Sequence, residues 1–529
     1  MSVRLSTLGA PFSARRRSLR SSGGLPMRMP TRTVVAAGAA LALTVGLGGP
    51  QALAAPPGPG SPSAGDRLFP GLGNGGYDAL HYDLGLDYDP ETRLVSATAG
   101  IDAKATQPLS RFNLDFDGND ISRLTVNGRI ADYRRDGAEL VITPNRPLRG
   151  KFRVDVTYVA DPRAEHDCVP IPPLTGSAWL PTDDGFGLAG QPNCMQSAYP
   201  NNDIPSDKAT YTIDVTTPEN LSSVGNGTLK STTHNQGKVT RTFRSTDPIA
   251  TELVQVAVGD FAVFEHRAAD GTPLRDVMPK DLLAAAKPKL KKQSQHLTWL
   301  NRQIGVDYPL QNYGSLGLEA DFGFALETQT VSLYPADIFT VDEPWVETIM
   351  VHELAHQWFG DYVAPATWSD LWLNEGHATW YELRYGQKLG EGTLEDAMKE
   401  QYAQGDTYRM AYGPVAKPTD DSTLFSDNVY GGGALVLYAL RQKVGDATFR
   451  AIEKRWVKKN ANGVAGTDDF VTLASQVARR DLRGFLEPWV YGTTTPPMPG
   501  HPDWTVDPPS DEKVAKAKTN RQHRHAHLA

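Results

Sequence analysis

Two histidines four positions apart, His352 and His356, stand in Val351-His352-Glu353-Leu354-Ala355-His356-Gln357-Trp358, an apolar segment compatible with a helix. On a helix, residues i and i+4 share a face, so both imidazoles can reach one ion. Glu353 sits one step round, where it reaches a metal-bound water without ligating the metal. Nineteen residues after His356, Glu375 stands in Trp372-Leu373-Asn374-Glu375-Gly376, which opens another helical segment. Two imidazoles and one carboxylate leave the open fourth position that catalytic zinc requires. The mixed nitrogen and oxygen donors favour one Zn2+ over hard cations, with cobalt or manganese able to substitute. The chemistry implied is hydrolysis by a zinc-activated water, with Glu353 as general base.

With Phe359-Gly360 after the first motif and Asp370-Leu371 before the second, this pattern resembles the aminopeptidase N family of gluzincins, which includes the leukotriene epoxide hydrolase. Gly376-His377 is similar to that hydrolase branch. Gln191, Tyr199-Pro200 and Asp203-Ile204-Pro205-Ser206-Asp207-Lys208-Ala209-Thr210 are similar to the family's amino-terminal β-domain. Asn428-Val429-Tyr430-Gly431-Gly432-Gly433-Ala434 is similar to the segment carrying its catalytic tyrosine. The likeness spans residues 76–492 and implies a multidomain α+β protein, a β-saddle or sandwich domain followed by a mainly helical, thermolysin-like catalytic domain.

It also implies roles. Glu327 and Ala325 fall where the family's Gly-Ala-Met-Glu-Asn motif binds the substrate's free α-amine. Gln191 matches a polar amine-binding position from the β-domain, and Tyr430 a donor to the oxyanion. A carboxylate holding the terminal ammonium near the zinc lets only the first peptide bond reach the metal. Phe324, Leu326 and Thr328 stand where the family has Gly, Met and Asn; Gly432 replaces a lysine, and Ser197 and Asn201 replace an arginine and a cysteine. Glu382, two helical turns after Glu375, is either a partner orienting a zinc-bound imidazole or a surface carboxylate. The expected function is a zinc aminopeptidase acting on peptide substrates. An endopeptidase or epoxide hydrolase on the same fold, or a catalytically dead binding homologue, are the alternatives.

The elements that must position these residues follow from periodicity. Residues 76–266 alternate apolar and polar positions, as in Tyr82, Leu84, Leu86, Tyr88 and in Phe152, Val154, Val156, Tyr158, which predicts antiparallel sheet. Over residues 267–492 helical spacing takes over, with helices expected at Asp281–Ile304, Val346–Phe359, Leu373–Leu389, Ala434–Val444 and Ala447–Lys459, and a short strand at Ser332–Tyr334. Residues 55–75 read as a flexible Pro/Gly/Ser leader, and 493–529 as a Pro-rich, then basic and His-bearing tail without packed structure. No residue after Gly492 lies in a stretch long enough for the helical carboxy-terminal domain of many family members.

Residues 1–54 are basic with no acid, contain an apolar run from Val34 to Leu47, and end in Ala52-Leu53-Ala54, the pattern of a signal peptide. Its removal takes away seven arginines, leaving 46 basic against 61 acidic residues, a formal charge of −15. So acidic a surface repels phosphate backbones, which argues against a nucleic-acid partner. With no further apolar segment of spanning length, a secreted protein without stable membrane association is expected. Cys168 and Cys194 then read as a disulfide, with two free thiols as the alternative.

Overall fold

Alternation along the amino-terminal strands puts one side chain in two into a shared core. In the computed structural model, which describes residues 55–166, 168 and 176–520, Tyr82, Leu84, Leu86 and Tyr88 are all buried on the strand Tyr77–Asp89. This strand lies beside Leu94–Asp115 and Thr210–Pro218 in a large sheet that continues through Leu148–Ala160 on one side and Lys238–Arg244 on the other. The pairing among these long strands is antiparallel except where Thr210–Pro218 runs parallel to Tyr77–Asp89, and the short strand Gly58–Pro59 adds a second parallel pair against Leu94–Asp115. The expectation of an antiparallel sheet is corrected at the first of these pairs. Four short strands, Ser222–Gly225, Val256–Gly259, Phe186–Leu188 and Trp179–Pro181, form a second sheet. Trp179, Phe186 and Val258 share one apolar core with Tyr82, Val154 and Ile213 of the first.

A third sheet of Phe261–Arg267, Pro273–Pro279, Ser315–Leu318 and Ser332–Pro335 leads into the helical part. Its first strand crosses the expected boundary at 266/267, because Phe261–Arg267 pairs with Pro273–Pro279 rather than with the preceding strands. The helices are α1 (Leu283–Leu290), α2 (Gln293–Ile304), α3 (Pro344–His356), α4 (Trp372–Leu389), α5 (Leu394–Ala403), α6 (Gly405–Tyr412), α7 (Asp427–Val444), α8 (Asp446–Lys459), α9 (Thr467–Ala478), α10 (Arg483–Tyr491) and α11 (Asp511–Asn520). The segment expected as one helix over Asp281–Ile304 is therefore two. Helix α7 starts well before the expected Ala434, running through Gly431-Gly432-Gly433. Triple glycine reads as a breaker, but here the bare backbone lets α7 approach α4. A Cβ on Gly376 would lie 2.8 Å from the Gly433 carbonyl carbon, and one on Gly433 2.9 Å from Gly376 Cα.

Both end segments differ from expectation. Residues 55–75 are no flexible leader: Leu68, Phe69 and Leu72 are buried in the helical core, and Phe69 packs edge-on to Trp368. Asp66 accepts the Trp368 backbone N–H at 2.8 Å. Residues 493–520 are likewise packed. Trp504 stacks on His501 and Tyr438, with ring centroids 4.2 and 5.7 Å away, and the Tyr412 hydroxyl donates to the Ala517 carbonyl. A few large apolar anchors, too widely spaced for periodicity, hold both segments against the core. The expected signal peptide and residues 521–529 lie outside the described residues.

Candidate active site

Helix α3 begins with Pro344 in its first turn and is apolar on nearly every side, with Val346, Met350, Val351, Leu354 and Ala355 buried. A helix of this kind belongs inside the protein. The polar residues of its last two turns, His352, Glu353 and His356, are 5, 2 and 1 % exposed and so need partners. Glu375 comes from the first turn of α4. A capping box in which Thr367 and Asp370 satisfy each other's backbone N–H groups fixes the turn before it. Trp372 Nε1 donates to Thr467 Oγ1 at 2.9 Å, fixing the helix start.

The His352 and His356 Nε2 atoms lie 3.4 and 3.3 Å from Glu375 Oε2. Ligand atoms of these three residues all fall within 4.8 Å of one another. The opposite ring nitrogens are already committed: His352 Nδ1 to Glu382 Oε2 at 2.8 Å, His356 Nδ1 to the Phe359 carbonyl at 3.2 Å. Both imidazoles therefore present Nε2 to the same point, with the Glu382 carboxylate on the far nitrogen of His352. Glu375 Oε2 is buried without a hydrogen-bond partner. That orphaned oxygen, facing two imidazole nitrogens, fits a zinc ion.

Electrostatics agree. Burial opposes the charge on His356, yet Glu327 and Glu375 push it up to about 9. Burial opposes the charge on His352, yet the neighbouring carboxylates of Glu375 and Glu382 raise it well above the ordinary range. Glu375 is drawn down to about 2 by both imidazoles, against the pull of burial. Burial pushes Glu353 up to about 8, with His352 and His356 opposing. Several carboxylates around two imidazoles make a pocket that favours a cation.

Glu327 is 3 % exposed, and its carboxylate lies within 4.8 Å of ligand atoms of Glu353 and His356. Gln191 Nε2, from the β-rich part, donates to Glu327 Oε1 at 2.8 Å. Leu326 pairs with Leu333 in an isolated bridge, which fixes the loop before Glu327. The Tyr430 ring, on α7, stacks near the His352 ring with centroids 6.0 Å apart. A cavity of about 360 Å³ opens beside His352, Glu353, Glu382 and Tyr430 and extends to α5 and α6. Ala325 is only partly buried and packs with the cluster around Met278 and Tyr334.

The Peptidase family M1 domain model matches residues 289–489. The crystal structure of an M1 zinc metallopeptidase mutant from Deinococcus radiodurans, bound to a Tyr-Ser-Ala substrate, superposes with a TM-score of 0.72 at 31% sequence identity, covering 83% of this chain and 100% of that one. The chain belongs to peptidase family M1. Among longer relatives, glutamyl aminopeptidase of Bitis rhinoceros is 25% identical over 317 residues, 56% of this chain and 33% of its own length. Aminopeptidase 2 of Candida albicans is 26% identical over 317 residues, 56% of this chain and 34% of its own length. This M1 chain thus spans about a third of the length of the curated relatives it matches.

The substitutions that set this M1 chain apart have structural partners. Phe324 and Leu326 are buried in the cluster around the third sheet, and the Thr328 hydroxyl donates to the Val331 carbonyl. Ser197 Oγ accepts the Ala178 N–H at 2.9 Å, and Asn201 exchanges backbone hydrogen bonds with Asp115. Cys168 and Cys194 form a disulfide, with Gln191 three residues before the second cysteine. His377 is fully buried, stacked on Phe359 at 4.1 Å, with Nδ1 on the Leu373 carbonyl, and it does not line the cavity. The likeness of Gly376-His377 to the epoxide hydrolase branch therefore adds no group to the site.

Two features escaped sequence reasoning. Gln357 ties the metal-binding helix to the Glu327 loop: its Nε2 donates to the Glu327 carbonyl at 3.1 Å, and its Oε1 accepts from Thr330 N at 2.8 Å and from Tyr308 at 3.2 Å. A glutamine inside an apolar run must be satisfied internally, and that was its only signal. The α5–α6 wall carried none, because its contribution depends on tertiary packing.

Proposed function

We propose that this protein is an exported zinc aminopeptidase that releases residues from the amino termini of peptides. The observation that carries this reading is the Gln191–Glu327 pair, hydrogen-bonded at 2.8 Å beside the metal ligands. A buried carboxylate there binds the α-ammonium of a peptide and sets the first peptide bond over the metal. The Deinococcus relative with its Tyr-Ser-Ala substrate supports a peptide in this cleft, as do two-domain M1 zinc metallopeptidases bound to L-arginine and L-tryptophan. Export is supported by the signal-like sequence and by a disulfide, which persists in oxidising compartments.

His352, His356 and Glu375 would hold the zinc ion, which when bound would supply Lewis acidity and a water nucleophilic at neutral pH. Glu353 takes the proton of the attacking water and delivers it to the leaving amine. Tyr430 donates a hydrogen bond to the developing oxyanion. Glu382 holds His352 in the tautomer that presents Nε2 to the metal. Glu327 and Gln191 hold the ammonium.

A panel of peptides with free and acetylated amino termini, assayed with and without a chelator, tests the proposal. Cleavage of free peptides only, abolished by chelator, is expected. Efficient cleavage of the acetylated set would instead identify an endopeptidase.

A further inference from the structure

We infer that the cavity between the metal centre and α5–α6 selects peptides with a long basic residue in second position. The inference rests on the aminopeptidase reading. With the α-ammonium on Glu327 and Gln191, the scissile bond lies at the metal ligands, and the residue beyond it must leave on the other side. Neither Glu327 nor Gln191 lines the 360 Å³ cavity, whereas His352, Glu353 and Tyr430 form its inner end. Its volume lies within the range of side-chain and ligand pockets.

The walls define what enters. Ile349, Leu383 and Met398 give an apolar passage suited to an aliphatic stem. Glu400 from α5 and Gln404 at the junction of α5 and α6 line the same cavity, each with a side-chain oxygen able to accept from a cationic head group. The residues around the cavity include three glutamates and no lysine or arginine. Glu382 is committed to His352, and Glu353 serves the water proton. Glu400, exposed at the rim, is the acid left to meet a charge on the substrate. An acidic second residue would meet Glu400 as a like charge, with no lysine or arginine on the cavity wall to offset it.

The test uses the full chain and the series Tyr-X-Ala, with X being Arg, Lys, Leu, Gly or Glu. At low salt, kcat/KM for X = Arg or Lys should exceed that for X = Glu by about fivefold or more, and the gap should narrow at high salt because the rim charge is screened. Glu400→Lys should erase or invert the Arg/Glu ratio. Gln404→Glu, which adds a carboxylate to the same wall, should widen it. An Arg/Glu ratio near one in the unaltered protein, or a ratio that Glu400→Lys leaves unmoved, would overturn the inference while leaving the aminopeptidase reading intact. No cleavage of any member by the zinc-loaded protein would overturn both.

Discussion

The crossing of α4 and α7 sets the distance between Glu375 and Tyr430, and Gly376→Ala perturbs it directly. The new Cβ would sit 2.8 Å from the Gly433 carbonyl carbon and 3.2 Å from Ala434 N, whereas ordinary contact is 3.4–4 Å. Both neighbours are helical backbone, which cannot swing aside, so the helices must part by about 0.6–1.2 Å. Overpacking of this kind costs about 1–3 kcal/mol, offset by roughly 0.5–1 kcal/mol from the better helix propensity of alanine. A loss of up to about 2.5 kcal/mol remains, lowering Tm by up to a few degrees. The functional effect should be larger. Displacing Glu375 and Tyr430 by that distance should lower kcat/KM by about 10- to 100-fold. Gly484→Ala on α10 is the control, since nothing lies within 4 Å of its Cβ position. It should leave Tm equal or slightly raised. Calorimetry with peptide turnover reads both effects. A Gly376→Ala protein with the Tm and kcat/KM of the original would refute the packing argument.

Glu382→Gln weakens the carboxylate hold on His352 and should lower zinc affinity about 10- to 100-fold in chelator competition; an unchanged affinity would deny Glu382 its orienting role. Asp203 and Glu252 are each pushed up to about 8, chiefly by burial. Because both folded values are raised, their stabilising contribution is present at low pH and is lost as pH rises toward 8, by up to about 1.4 kcal/mol per unit and group. Lys208, lowered by burial to about 8, adds stability only as pH rises above that value. Tm should therefore fall between pH 5 and 8, and Asp203→Asn should flatten the fall; a parallel profile would contradict this. Trp504→Ala removes a residue 7 % exposed and should cost about 3 kcal/mol or more in denaturant unfolding, whereas a loose tail would make it silent.

Much of the site was legible in the sequence because its ligands sit at spacings that secondary structure enforces. His352 and His356 are one helical turn apart, and Glu382 follows Glu375 on one face of α4. The strands were legible for the same reason, since burial tracks a period of two. What stayed hidden depends on contacts between distant segments. Leu68, Phe69 and Trp504 lie in Pro- and Gly-rich stretches whose composition says loop, yet each fills a hole in the helical core. The glycines of α7 signal a break unless the backbone of α4 is known to lie against them. Gln357 and the α5–α6 wall show no periodic signal, because their partners are chosen by the folded chain.

A single zinc ion on His352, His356 and Glu375, with Glu353 moving the proton of the attacking water, is the arrangement on which turnover depends in the proposed function. Metal content and turnover measured together on the original protein and on Glu353→Gln test it most directly. One zinc per chain in both proteins, with turnover of a free peptide lowered by about 10²- to 10⁴-fold in the variant, is the predicted result. Near-normal turnover in Glu353→Gln, or no zinc bound by the original protein, would contradict it.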